Sequence, residues 1–177
     1  MRPALGTAVF FLVGPVLEAG VGPFLLTGWE TGDGALDVGA LRVLGGLLLA
    51  AGTVVVVHTS AGFARLGQGT PSPAAPPQRL VVTGAYRHVR HPMYVATAVV
   101  IAAQGLLLAR PVLLVAAAVY LAAMALLATR LEEPRLLARF GAGYETYRRA
   151  VPGWLPRPLS RRSPGASRGP AAPPPGP

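Results

Sequence analysis

Four apolar runs dominate the chain, at about Ala4 to Leu26, Val38 to Val57, Met93 to Ala109 and Val112 to Thr129. Roughly 20 apolar residues are what an α-helix needs to cross the hydrocarbon of a bilayer. Inside that medium only helices and closed barrels satisfy their own backbone groups. The expected fold is therefore all-α: a polytopic membrane protein with about four transmembrane helices, followed by short C-terminal interfacial helices. Composition agrees, since 52% of residues are hydrophobic and only 13% are charged, too apolar for an ordinary soluble domain.

The net charge of +9 comes from sixteen basic residues, all of them Arg, against seven acids. Nucleic acid is excluded as a partner, because the arginines cluster between and after the apolar runs and no nucleic-acid motif accompanies them. Ser60 to His91 carries Arg65, Arg79, Arg87 and Arg90 without an acid, whereas Gly28 to Asp37 carries Glu30, Asp33 and Asp37 without a base. By the positive-inside rule the first of these loops is expected in the cytoplasm together with both termini, in an integral protein of the plasma (inner) membrane. There is no cysteine, so disulfides, thiolate nucleophiles and zinc–sulfur sites are excluded. No metal site is expected.

Along the chain, the first run is read as a retained helix rather than a signal peptide, because Pro15 and Glu18 interrupt it and no small-x-small cleavage site follows. Glu18 is expected near the outer interface or hydrogen-bonded inside the bundle. Gly45, Gly46 and Gly52 suit close helix packing, as do Gln104 and the alanines at 116–118 and 122–123. Ser60 to Thr83 is rich in Gly, Pro and Gln and is expected to hold no regular element. Arg110-Pro111 should turn the third and fourth runs into a tight antiparallel hairpin. After it, Arg135 to Phe140 reads as a short interfacial helix stopped by Gly141. Tyr144 and Tyr147 share one face of a second piece, and Trp154 suits an interface anchor. The domain is expected over 1–156, with its motif-bearing half at 80–156 and a disordered Arg/Pro/Gly-rich tail at 157–177.

The densest chemistry lies in Gly84 to Tyr94, a run of basic and aromatic groups directly before an apolar run. Pro92 suits the first position of a helix, with His91 as cap. The N–H groups of Met93 and Tyr94 then form an anion site, flanked by Arg87, His88, Arg90 and His91. At 1.5 Å per residue, Pro92 to Arg110 spans about 27 Å and Pro111 to Glu132 about 31 Å, so His91 and Glu132 should return to one depth. Carboxylates, tyrosines and a basic helix start suit a ligand with opposite charges at different points, such as a sulfonium cofactor. Its carboxylate would sit by Arg90 and His91, its amino group by Glu132 or Glu133, and the sulfonium against a tyrosine face. On residues alone an alternative stands: a non-catalytic four-helix membrane protein whose arginines meet anionic lipid or a protein partner, with Glu132 and Glu133 paired to Arg135 or Arg139. A nicotinamide-dependent reductase is disfavoured by the absence of a dinucleotide-binding Gly pattern.

Gly84-Ala85-Tyr86 with Arg90-His91-Pro92-Met93-Tyr94, then Glu132-Glu133 with Leu136, Phe140-Gly141, Tyr144, Tyr147 and Val151-Pro152, resembles the isoprenylcysteine carboxyl methyltransferase and phospholipid methyltransferase family of integral membrane enzymes. The resemblance covers roughly Leu80 to Pro156. It implies an S-adenosylmethionine-dependent methyltransferase acting at the cytoplasmic membrane face on a lipophilic small-molecule or lipidated acceptor, through a carboxylate, thiol or amine. By position, His91, Tyr94, Glu132 and Glu133 are the implied cofactor contacts, with Tyr86, Arg90 and Pro92 shaping the wall. Tyr144, Tyr147 and Arg148 are the implied lid, and Glu133 and Arg148 are the candidate catalytic groups. Ala85 and Ala96 stand where the family pattern favours Pro and Gly.

Overall fold

The computed structural model describes residues 14–33, 36, 38–66 and 80–156. The start of the first apolar run, the segment 67–79 and the expected tail lie outside these. The described residues form helices and connecting turns. Helix α1 covers 14–27 as a π turn, Leu17–Val21, running into the α-helical Gly22–Thr27. Helix α2 is Gly39–Leu66 and α3 is Pro92–Leu107. Helix α4, Pro111–Phe140, is continuous through a second π turn at Ala128–Glu132. Helix α5 is Ala142–Ala150.

Prolines place the breaks. Pro92 and Pro111 each open a helix, where a missing N–H costs nothing. Inside a helix the same deficit must be met otherwise. Pro23 has no N–H for the carbonyl four residues back, Ala19, and Gln104 Nε2 donates to that carbonyl at 2.7 Å. Pro134 stands in the same relation to Arg130, and the π turn there absorbs the mismatch.

Close packing follows two of the three expected glycines. A Cβ on Gly45 would lie 2.7 Å from the Leu107 nitrogen, and one on Gly52 would lie 2.8 Å from Val100 Cγ2. Both positions bring α2 onto α3. Gly46 faces open space instead. The α3–α4 hairpin is as tight as its two-residue signal implied: Arg110 N donates to the Gly105 carbonyl at 2.9 Å, and buried Ala109 takes a positive φ of 53°. At this far end of the bundle, Gly32 N donates to the Leu108 carbonyl at 2.7 Å and Arg110 Nε to the Glu30 carbonyl at 3.0 Å. These bonds pin the 28–33 loop onto the hairpin.

Two helices, Gly39–Gly62 within α2 and Pro111–Phe140, are long and apolar enough to cross a membrane; α3 is apolar but shorter. Their flanks stay uncovered: Val43 is 65% exposed and Leu47 66% on α2, as are Val115 at 63% and Val119 at 62% on α4. Apolar rows this exposed call for hydrocarbon rather than water.

Three expectations need correction. Helix α2 continues past Ser60 through Leu66, because Ser60-Ala61-Gly62 holds no proline and an isolated Gly is tolerated inside a helical pattern. Arg135 to Phe140 is no separate piece but the last two turns of α4, ending at Gly141 with φ 52°. Of the alanines expected at helix contacts, Ala117 is buried but Ala118, Ala122 and Ala123 are exposed.

Candidate functional site

At the end of the bundle opposite the hairpin, the start of α3 meets the last turns of α4. His91 is the N-cap residue of α3 and Pro92 its first-turn proline, as the sequence implied. The π turn at Ala128–Glu132 shifts the register of α4 so that both adjacent carboxylates face α3. Arg90 donates from Nη1 to Glu133 Oε1 at 2.6 Å, and His91 Nε2 lies 3.3 Å from the same oxygen. His91 Nδ1 is 3.7 Å from Glu132 Oε2, to which the Tyr94 hydroxyl donates at 3.3 Å. Depth arithmetic on the hairpin anticipated this meeting of His91 with Glu132. The alternative pairing of the two acids with Arg135 or Arg139 does not occur among the described residues; Arg139 stacks over Phe140 instead.

The C-terminal segment closes the cluster. Tyr144 is buried and receives a 3.3 Å hydrogen bond from Arg90 Nη1, while the Tyr147 hydroxyl donates to the Tyr86 carbonyl at 2.8 Å. Past α5, the chain returns over the motif: Arg90 N donates to the Pro152 carbonyl at 2.8 Å and His91 N to that of Gly153 at 3.0 Å. Trp154 then stacks on the His91 ring at 4.8 Å between centroids, with Tyr94 close to parallel to both. Sequence reading took Trp154 for an interface anchor and missed this contact. Its spacing from Val151-Pro152 was the available signal, but nothing local says which ring it will cover.

Leu80, Val81, Tyr86, Arg90, His91, Glu132, Leu136, Tyr144 and Tyr147 line a cleft enclosing about 460 Å³ of non-protein space, its open mouth included. Tyr94 and Glu133 stand outside that lining and hold Glu132, Arg90 and His91 in place. Leu80 and Val81, in the stretch expected to hold no regular element, belong to the cleft wall. The expected anion site is smaller than the sequence implied: Arg87 and His88 are exposed, because the 3₁₀ turn Gly84–Arg87 turns them outward, and only Arg90 and His91 face the acids. Arg148 is also exposed and outside the cleft lining.

Burial dominates the protonation of the aromatic wall. It pushes Tyr86, Tyr144 and Tyr147 above the ordinary phenol range, so all three remain hydroxyl donors. His91 is held below the ordinary imidazole value, burial outweighing the opposing hydrogen bond and charge of Glu133. The ring is neutral at physiological pH and donates from one nitrogen only. One donor is left over: Arg90 Nε is buried without a hydrogen-bond partner. A buried guanidinium N–H in want of an acceptor, beside two carboxylates, fits a ligand bearing both an acid and a cationic group.

An apolar helical bundle that ends in a cluster of two carboxylates, an Arg and a His marks a membrane-associated protein. More particularly, the sequence pattern of the family described as Phospholipid methyltransferase matches residues 40–143, and the chain belongs to that family of methyltransferases. The matched stretch contains Arg90, His91, Tyr94, Glu132 and Glu133 and stops short of Tyr144, Tyr147 and Trp154. No curated protein matches the chain.

Proposed function

We propose that the protein transfers a methyl group from S-adenosylmethionine to a lipophilic or membrane-embedded acceptor at the cytoplasmic membrane face. The observation that supports this most is the meeting of Arg90, His91 and Tyr94 with Glu132 and Glu133 across the α3–α4 hairpin, with one buried Arg90 donor unmet. In this reading Arg90 Nε and the first N–H groups of α3 take the cofactor's carboxylate. Glu132 takes its amino group, with Glu133 holding Arg90 and His91 beside it, and the tyrosine faces of the cleft favour its positive sulfur. When bound, that cofactor supplies an activated methyl group, and the chain's own part is to orient it and to exclude water. Tyr147, anchored on the Tyr86 carbonyl, and buried Tyr144 form the cover over the cleft in this reading; exposed Arg148, next to Tyr147 in sequence, is the candidate for meeting the acceptor's polar end. The apolar wall of Leu80, Val81 and Leu136 suits an acceptor that arrives from the hydrocarbon.

This reading includes four membrane spans with both termini in the cytoplasm, α1 and α3 joining the two long helices. Equilibrium binding of S-adenosylhomocysteine to the full chain in detergent tests it. Wild type should bind, and His91→Ala and Glu133→Ala should not, while all three insert into membranes. Unchanged isotherms in both variants would refute the assignment. Membranes bearing the protein, incubated with methyl-labelled cofactor, should carry label in the lipid extract; label confined to water-soluble products would remove the lipophilic acceptor.

A further inference from the structure

Helix α4 is not uniform along its length. It runs α-helical from Pro111 to Leu127, widens into the π turn at Ala128–Glu132 and resumes over Glu133–Phe140. The Glu133 N–H marks the widening, for it donates to the Ala128 carbonyl five residues back rather than to the one four back. Pro134 follows directly. It is exposed and outside the cleft lining, so any hold it has on the site passes through the helix.

Helix α1 repeats the pattern. Gly22 N donates to the Leu17 carbonyl, again five residues back, at the end of the π turn Leu17–Val21, and Pro23 comes next. Glu18, inside that turn, accepts a 2.9 Å hydrogen bond from the Tyr120 hydroxyl on α4, so this turn also carries an acid onto another helix. Pro92 and Pro111 supply the contrast: each opens a helix, and neither follows a π turn. Both π turns among the described residues thus end two positions before a proline. The cause is steric. In a regular α-helix the ring of Pro134 would run into the Arg130 carbonyl, and the wider turn takes that carbonyl out of its way.

The consequence is rotational. A π turn holds about one residue more than an α turn, and one residue of α-helix corresponds to ~100°. Without the extra residue, the place that Glu133 holds beside Arg90 would fall to Glu132, and the place of Glu132 beside Tyr94 to Leu131. Glu133 would turn away, and the cluster would keep one carboxylate instead of two.

We propose that Pro134 is a positioning residue for the site: through the π turn before it, it aims Glu132 and Glu133 together at the start of α3. The inference rests on the methyltransferase reading above and adds to it a residue that the cofactor never touches.

The test compares Pro134→Ala, deletion of Thr129, and the two combined, each in the full chain in detergent. Thr129 is exposed, and its hydroxyl donates to carbonyls of its own helix, at Ala125 and Leu126. Pro134→Ala lets α4 close into a regular helix and should weaken S-adenosylhomocysteine binding at least about tenfold, the loss of one charge-assisted contact. Deleting Thr129 alone removes a residue while the proline still demands the wide turn, and should weaken binding likewise. Combined, the two changes give a regular helix with both acids back in place, and affinity should return to within about twofold of wild type. Ala is the better helix former, so a proline with a merely structural role predicts wild-type affinity for Pro134→Ala and no rescue in the combined variant. A second readout needs no ligand. The coupling between Arg90 and Glu133, taken from the Tm values of Arg90→Met, Glu133→Ala and their double variant, should vanish in the Pro134→Ala background and return once Thr129 is also deleted. If Pro134→Ala does not fold alone, the combined variant carries the comparison. Unchanged affinity and coupling in Pro134→Ala, or a folded combined variant no tighter than the Thr129 deletion, would overturn the proposal. Failure of wild type to bind S-adenosylhomocysteine sinks the methyltransferase reading instead, and the ligand-free coupling still reports on Pro134.

Discussion

Arg90 and Glu133, 43 residues apart in sequence, are joined by a 2.6 Å ion pair that ties the start of α3 to the last turns of α4. Both side chains are 14% exposed, so the pair is largely shielded from solvent. Removing one partner strands the other. Glu133→Ala should destabilise the protein by about 3 kcal/mol, at the lower end for broken buried pairs, whereas the double variant Arg90→Met/Glu133→Ala should recover part of that loss. Denaturation in detergent measures both, and additive losses would show that the two groups are not energetically coupled.

Trp154 should behave as a positioning residue for His91. Trp154→Phe retains a stacked ring and should retain stability, while Trp154→Ala should lose about 1 kcal/mol of ring contact. A purely structural role would stop there. By uncovering the imidazole, Trp154→Ala should also move the His91 titration upward toward its ordinary value, which NMR of the ring protons resolves. An unmoved titration would argue against the stack as the source of the burial.

Stability should depend on pH through His91. Its folded value lies below the unfolded one, so on acidification the unfolded chain takes up the proton first. Wild type should therefore be indifferent to this group above pH about 6.5 and lose stability as pH falls below it. His91→Gln should lack that component, and the difference between the two melting profiles across pH 5 to 8 isolates it from the carboxylates. A difference that grows on alkalinisation would reverse the sign and reject the assignment.

The glycines of α2 provide a control on helix packing. Gly45→Ala and Gly52→Ala press a methyl into α3 at 2.7 and 2.8 Å and should each cost about 1–3 kcal/mol. Gly46→Ala, one residue from Gly45 but facing open space, should be neutral or stabilising by up to about 1 kcal/mol through helix propensity. Thermal unfolding of the three variants in one detergent decides it; equal losses would mean that α2 does not meet α3 along this face.

Much of the site was legible in the chain itself. Pro92 announced a helix start, His91 its cap, and the length of two apolar runs around Arg110-Pro111 brought Glu132 back beside His91. These are local or one-dimensional facts, set by backbone chemistry and by rise per residue, and they hold before any packing is known. The number and depth of apolar runs likewise called for a helical membrane protein, and α2 and α4 have the length and hydropathy for it.

What tertiary structure decided was direction. Helical periodicity alone does not say that Gly45 packs while Gly46 does not, that Arg90 turns inward while Arg87 and His88 turn out, or that the Trp154 ring settles on an imidazole 63 residues earlier in the chain. Nor does it say that the carbonyl freed by Pro23 meets Gln104, or that Glu18 meets Tyr120. Each depends on the rotation of one helix about its axis relative to another, which two π turns and a few close contacts set. That rotation is a property of the assembled bundle and of no single segment.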